Sequence, residues 1–197
     1  MALLPCAPLL AQENSSDLEF HSCTGELGGG FDWVRGSDSD ALKHHAGVFQ
    51  AGGGFAVSRR VAIVADFMFY GSGIQASALM NEAGSPQGGS AKFYSTILEP
   101  TFILTAHRRY NLYAFGGFGW LRRSIKFTNP GETLVHPGGV EVPGGGSANS
   151  GTADAGAGID IRLNRAGLRG YIEARYVHGL GRNLNTTLLP LTAGVRW

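Results

Sequence analysis

The chain has 197 residues, 31 glycines and a formal net charge of +1. This length is enough for one domain with a substantial core, and the near balance of acids and bases argues against nucleic acid as a partner. Glycine is about twice as frequent as in an average protein. It lies inside apolar runs such as "AGGGFAV" and "AGAGID", which indicates strongly curved strands rather than linkers.

The N-terminus is predicted to be processed. Residues 1–11, "MALLPCAPLLA", form a short apolar stretch without a basic start, which we interpret as a truncated signal-peptide remnant with cleavage after Ala11. Residues 12–26 would then precede the first strand. The two cysteines, Cys6 and Cys23, define no disulfide framework. No run of about 18 apolar residues is present, so the sequence predicts no transmembrane helix.

The rest of the chain shows apolar residues with a period of two, which predicts strands and almost no helix. Eight strands are predicted, at residues 27–35, 46–57, 61–70, 92–105, 111–125, 152–163, 168–178 and 187–197.

The connections between these strands alternate between short and long. The short ones are "VSRR", "AHRRYN" and "LNRAG", and the long ones are polar. In an up-and-down meander this order places every tight turn at one end and every long loop at the other, as in bacterial outer-membrane barrels with short periplasmic turns. We therefore predict an all-β fold, an eight-stranded antiparallel up-and-down transmembrane barrel over residues 27–197, with residues 12–26 as an N-terminal periplasmic segment.

Each predicted strand has one apolar face and one face with a few charges of both signs, as "LRGYIEARYVHG" illustrates. A soluble sandwich shows the same alternation. However, the chain has 13 arginines and only three lysines, which suits a narrow packed lumen better than a solvated surface. Buried charges must be paired. We predict a lumenal charge network of Asp66, Glu99, Asp154, Asp160, Arg162, Arg169, Glu173, Arg175 and Arg196.

Aromatic residues cluster at the ends of the predicted strands, which is typical of the girdles at membrane interfaces. The final strand, "LTAGVRW", ends on such a residue. The predicted interface aromatics are Trp33, Tyr70, Trp120 and Tyr176 at the loop end, and Phe55, Tyr110 and Trp197 at the turn end.

Residues 27–197 resemble the small eight-stranded OmpA-type outer-membrane barrels. The matching stretches are "ELGGGFDWVRG", "AGGGFAVSRRVAIVADF", "NLYAFGGFGW", "GAGIDIRL" followed by "YIEARYVH", and "LTAGVRW". The resemblance implies a location in the bacterial outer membrane. It also implies that the C-terminal strand is a signal for the barrel-assembly machinery.

Eight strands leave an interior just wide enough for side chains, so we expect no general porin activity. The predicted role is structural or one of surface interaction, without catalytic residues, cofactor or metal. The loops at 71–90 and 127–150 are rich in glycine, serine, proline and asparagine, and they could contact an unknown surface ligand.

Two alternatives remain open. A lipid A-modifying outer-membrane enzyme would need a nucleophile and a base near the rim. No histidine lies two residues before a serine, as in the lipid A deacylase barrels, and only His178 is in a suitable place. A soluble lipocalin-like carrier would hold its apolar residues inside and its polar residues outside.

Overall fold

The computed structural model describes residues 23–36, 46–74, 80–81, 89–107, 109–127, 134–135, 141–142, 146–164, 167–181 and 186–197. Eight long strands form a closed antiparallel barrel. They are β1 (Cys23–Gly36), β2 (Ala46–Ser58), β3 (Val61–Ile74), β4 (Gly89–Ala106), β5 (Tyr110–Phe127), β6 (Gly146–Arg162), β7 (Arg169–Gly179) and β8 (Thr186–Arg196).

The topology is up-and-down throughout. Each strand pairs with the strands that precede and follow it, and β1 closes the barrel against β8, with Glu26 opposite Arg196 and Gly36 opposite Thr186. Closure satisfies the backbone groups that an open sheet would leave at its edges. The predicted fold, strand number and topology are confirmed.

The strands extend beyond several predicted boundaries. β1 begins at Cys23, so the last residues of the predicted segment 12–26 belong to this strand. β6 begins at Gly146 rather than at residue 152. Its first residues, "GSANSG", lack apolar alternation but pair with β5, because backbone hydrogen bonding to a neighbouring strand does not require apolar side chains.

Residues 1–22, with the predicted signal remnant and its cleavage site, lie outside the described residues. The described part of the chain contains no helix long and apolar enough to cross a membrane.

The predicted alternation in connection length holds except at the last pair, where the connections 163–168 and 180–185 each have six residues. Residues 59–60, 107–109 and 163–168 join strands at one end, the turn end. Residues 37–45, 75–88, 128–145 and 180–185 join them at the other, the loop end. Within the long connections, three two-residue strands, Met80–Asn81, Leu134–Val135 and Glu141–Val142, form a small antiparallel sheet.

The outer face of the barrel is apolar. Phe31 is 65% exposed, Phe118 74% and Leu98 59%, and each lies at an outward position of its strand. Such a belt of large apolar side chains is unfavourable in water and suits lipid. A soluble lipocalin-like carrier would hold these residues inside, so this alternative is not supported.

Candidate functional site in the barrel lumen

Arg175 on β7 is the centre of a group of buried charges in the turn-end half of the lumen. Its Nη2 atom lies 2.7 Å from Glu173 Oε1 and 2.8 Å from Asp66 Oδ2. Its Nη1 atom lies 2.8 Å from Asp154 Oδ2 and 3.2 Å from Glu99 Oε1. The carboxylates come from β3, β4, β6 and β7, so one guanidinium connects four strands of the barrel.

Arg196 on β8 forms a second centre. Its Nη2 atom lies 2.6 Å from Glu26 Oε2 and 3.6 Å from Glu173 Oε2, and its Nη1 atom lies 3.1 Å from Asp160 Oδ1. Arg169 joins this centre, with Nη1 3.7 Å from Asp160 Oδ2. Since Glu26 belongs to β1, the pair Arg196–Glu26 bridges the seam between the first and last strands.

Gln50 and Tyr113 connect the two centres as hydrogen-bond donors. The Gln50 side-chain amide donates to Asp66 Oδ2 at 2.9 Å and to Glu26 Oε1 and Glu173 Oε1 at 3.2 Å each. The Tyr113 hydroxyl donates to Glu173 Oε2 at 3.0 Å. Neutral donors thus supply part of the stabilisation that buried carboxylates need.

Aromatic rings on β5 cover both guanidinium groups. The Arg175 Cζ atom lies 4.4 Å from the centroid of the Phe115 ring, and the Arg196 Cζ atom lies 4.7 Å from that of Tyr113. At these distances the ring face attracts the cation, and more strongly when water is excluded.

Two glycines on β6 make room for these rings. Gly158 is paired with Tyr113, and Gly156 with Phe115. A Cβ atom at Gly158 would overlap the Tyr113 ring, and one at Gly156 would overlap the Phe115 ring. Part of the high glycine content is therefore explained by the space that lumenal aromatic rings need, beyond the curvature expected from the sequence.

We expect Gly158→Ala to destabilise the barrel by about 1–3 kcal/mol, because the added methyl group must displace Tyr113 from Arg196 and Glu173. The measurement is the free energy of unfolding in urea, followed by tryptophan fluorescence in detergent micelles. Gly47→Ala is the matched control, since a Cβ atom there meets nothing within 4 Å. Equal stability of the two variants would contradict this packing.

Most of the predicted network residues meet in the lumen. Asp66, Glu99, Asp154, Asp160, Arg169, Glu173, Arg175 and Arg196 are all buried.

Arg162 was predicted to belong to the network, but its side chain is exposed. It has the inward parity, yet it is the last residue of β6 at the open turn end and is paired with Arg169, a residue of like charge. It makes no ion pair with any described residue.

Tyr70 was predicted to be an interface aromatic, and this prediction was wrong. The side chain is fully buried, and its hydroxyl donates to Met68 Sδ at 3.0 Å. Tyr70 lies an even number of residues from Asp66 on β3, so it shares the inward parity of that lumenal carboxylate.

The remaining predicted interface aromatics lie on the outer face. Trp33 is 41% exposed, Trp120 42%, Tyr176 49% and Trp197 56%. Phe55 and Tyr110 are exposed as well.

Sequence reasoning missed Glu26, Gln50 and Tyr113. Glu26 was assigned to the periplasmic segment, although it is next to the outward Leu27 and alternation would have placed it inside. Gln50 carries no charge, and Tyr113 is an aromatic residue that an outward or an inward position could accommodate. Neither could be recognised as a network member from its strand alone.

The network contains six carboxylates and three guanidinium groups among the described residues. Its members are Glu26, Asp66, Glu99, Asp154, Asp160 and Glu173, and Arg169, Arg175 and Arg196. Within the described ranges, no group of three or more histidine, cysteine, aspartate or glutamate side chains is arranged to hold a metal ion. Cations are the scarce component, which makes each arginine more important than any single carboxylate.

A cluster of apolar side chains fills the lumen on the loop side of the network. Its members share inward positions on β2, β3, β4, β5, β7 and β8. They are Val48, Met68, Tyr70, Ala91, Phe93, Ile97, Leu121, Val177 and Leu188. Apolar and charged side chains therefore occupy successive levels of the lumen, and a smaller apolar cluster of Ala62, Val64 and Ile103 lies near the turn end.

The chain matches no family model and no curated protein. Its fold, however, is similar to solved structures. Neisserial surface protein A superposes with a TM-score of 0.64 at 14% identity, over 89% of this chain and 96% of that one. The attachment invasion locus protein Ail of Yersinia pestis, solved in complex with the heparin analogue sucrose octasulfate, superposes with a TM-score of 0.53 at 18% identity, over 89% of this chain and 99% of that one.

At identities below one fifth, the likeness concerns the fold. The predicted resemblance to small eight-stranded barrels is confirmed at that level.

Proposed function

We propose that this chain is an integral protein of the bacterial outer membrane with a structural or surface-interaction role and without general porin activity. The observation that carries the proposal is the filled lumen. A water-filled pore needs a continuous polar path, whereas the apolar layer around Phe93 and the ion pairs of Arg175 occupy successive levels of this barrel.

Recordings in planar lipid bilayers test the absence of a pore. Protein refolded into detergent micelles, and shown to be folded by its shift in electrophoretic mobility on boiling, is added to the bilayer. We expect no stepwise increase in conductance above that of the detergent blank. Reproducible steps from the folded fraction, absent with boiled protein, would contradict the proposed closed lumen.

The proposal includes no enzymatic activity. His178, the histidine best placed for a role at the rim, has its Nδ1 atom 3.1 Å from Thr187 Oγ1. A hydrolytic base needs a third group to orient it. Every carboxylate whose side chain the structure describes lies inside the lumen, whereas His178 has the outward parity of β7. These facts favour an interface position over catalysis by a lipid A-modifying enzyme.

Two kinds of partner belong to the proposal. The first is the barrel-assembly machinery, which would read β8; the exposed Trp197 and the outward apolar positions of this strand support the idea. The second is a surface ligand at the loops 71–90 and 127–150, most of which lie outside the described residues.

A further inference from the structure

Acidic and basic side chains are separated between the inside and the outside of the barrel. The carboxylates whose side chains the structure describes are all buried: Glu26, Asp32, Asp66, Glu99, Asp154, Asp160 and Glu173. On the outer face of the loop-end half, the described charged side chains are Lys92, Arg122 and Lys126. Two of the three lysines of the chain are therefore on this one surface, and no described carboxylate faces them.

These three cations share one surface pocket of about 410 Å³ across β3, β4 and β5. In the sheet, Lys92 is opposite Ser124, and Tyr94 is opposite Arg122. The pocket is lined by Phe67, Lys92, Tyr94, Trp120, Arg122, Ser124 and Lys126. Charged donors, the hydroxyl groups of Tyr94 and Ser124, and the aromatic side chains of Phe67 and Trp120 thus line one concave surface.

The height of the pocket relative to the membrane follows from the strand. Below Trp120, the outward positions Leu98 and Phe118 are exposed and apolar. Above it, a strand rises about 3.3 Å per residue and is tilted by about 40°, so Arg122 lies about 5 Å and Lys126 about 15 Å above the tryptophan. Aromatic girdles lie at the headgroup level. The cations therefore lie in the headgroup region of the outer leaflet.

We propose that this basic pocket binds the phosphate groups of the outer-leaflet glycolipid, lipopolysaccharide. The inference rests on the proposed location in the outer membrane. Arginine and lysine are the residues that bind phosphate oxygens, and basic pockets at membrane interfaces recognise anionic headgroups. The aromatic side chains of Phe67 and Trp120 contact the sugars and acyl chains of the same molecule. Free phosphate has no such apolar part.

The pocket can be observed through its own tryptophan. The chain has three tryptophans, so replacing Trp33 and Trp197 by phenylalanine leaves Trp120 as the only emitter. The protein is refolded into zwitterionic detergent micelles and titrated with diphosphorylated lipid A. We expect a saturable change in Trp120 emission. The triple variant Lys92→Gln, Arg122→Gln, Lys126→Gln should bind about 100-fold more weakly, with each cation contributing about fivefold.

A matched control removes the same charge from the other end of the barrel. Arg60, Arg109 and Arg162 are exposed at the turn end, and their joint replacement by glutamine should leave the affinity unchanged. Dephosphorylated lipid A should give no comparable saturation. Equal weakening in both triple variants would overturn the proposal, because binding would then reflect overall charge. Saturation by inorganic phosphate alone would also overturn it, in favour of a free-anion site.

The mobility shift on boiling separates this proposal from the proposed function. A chain that never folds into a detergent-stable barrel would contradict the membrane role itself. A folded barrel whose Trp120 emission does not respond to lipid A would leave the membrane role intact and overturn only the glycolipid site.

Discussion

Replacing Arg175 by methionine should destabilise the folded barrel by about 3–5 kcal/mol, the cost of removing one partner from a buried ion pair. The guanidinium lies within 3.2 Å of carboxylate oxygens of Asp66, Glu99, Asp154 and Glu173. Methionine fills a similar volume but leaves these carboxylates without their common cation. The measurement is equilibrium unfolding in urea in lipid vesicles or micelles, with tryptophan fluorescence as the signal.

Two variants make the Arg175 experiment specific. Arg162→Met removes an arginine of the same lumenal parity whose side chain is exposed, and it should change stability by less than about 0.5 kcal/mol. Glu173→Gln should cost less than half as much as Arg175→Met. In that variant Arg175 retains three carboxylates, and Arg196 retains Glu26 and Asp160.

The difference in stability between Glu173→Gln and Arg175→Met tests whether carboxylates outnumber cations in the network. The six carboxylates and three guanidinium groups indicate that the network is short of cations. Equal losses of stability in Glu173→Gln and Arg175→Met would contradict this. An unchanged urea midpoint for Arg175→Met would contradict the buried network as a whole.

Replacing Arg196 by methionine should also lower the free energy of unfolding by about 3–5 kcal/mol. The loss should weaken the contact between β1 and β8, which closes the barrel. Arg196 donates from Nε to Glu26 Oε2 at 2.8 Å across the β1–β8 seam, and its guanidinium is covered by Tyr113 and Tyr171 at 4.7 and 5.0 Å. Without it, the last strand loses its ion pair with Glu26 on the first. The effect is measured by equilibrium unfolding in urea and by the mobility shift on boiling. The variant should lose this shift at a lower urea concentration than the unchanged protein.

A double-mutant cycle with Glu26→Gln isolates the seam pair. If Arg196 and Glu26 act together, the double variant Arg196→Met, Glu26→Gln should cost less than the sum of the two single changes, because residues in one network are coupled. Arg109→Met, an exposed change at the turn end, is the control for loss of an arginine. Additive costs would show that Arg196 stabilises the barrel through Asp160 and the rings rather than through the seam.

The sequence contained enough information for the fold because the barrel is built from local signals. The alternation in "LRGYIEARYVHG" already separated the inward Glu173 and Arg175 from the outward Ile172 and Tyr176. Side chains alternate with a period of two whatever the strand pairs with, so the apolar and charged faces could be predicted one strand at a time. The order of short and long connections then gave the up-and-down topology.

The candidate site was only partly predictable. Parity identified inward charges, but it could not show that Arg162 is at the open end of the lumen. Parity does place Tyr70 on the inward face with Asp66, and its position near the strand end was given too much weight. Glu26 lay outside the predicted first strand, although the alternation continued into it. The seam partner of Arg196 was missed for this reason.

By itself, the sequence determined the number of strands, their direction and which side chains face inward, because these properties depend on neighbours along the chain. Only the tertiary structure decided which inward residues meet, since the tilt and stagger of the closed sheet set the height of each residue in the lumen. Arg175 reaches Asp66, more than 100 positions earlier in the chain, because of that stagger. Likewise, Lys92 and Arg122 line one pocket only because β4 and β5 are paired in one particular register.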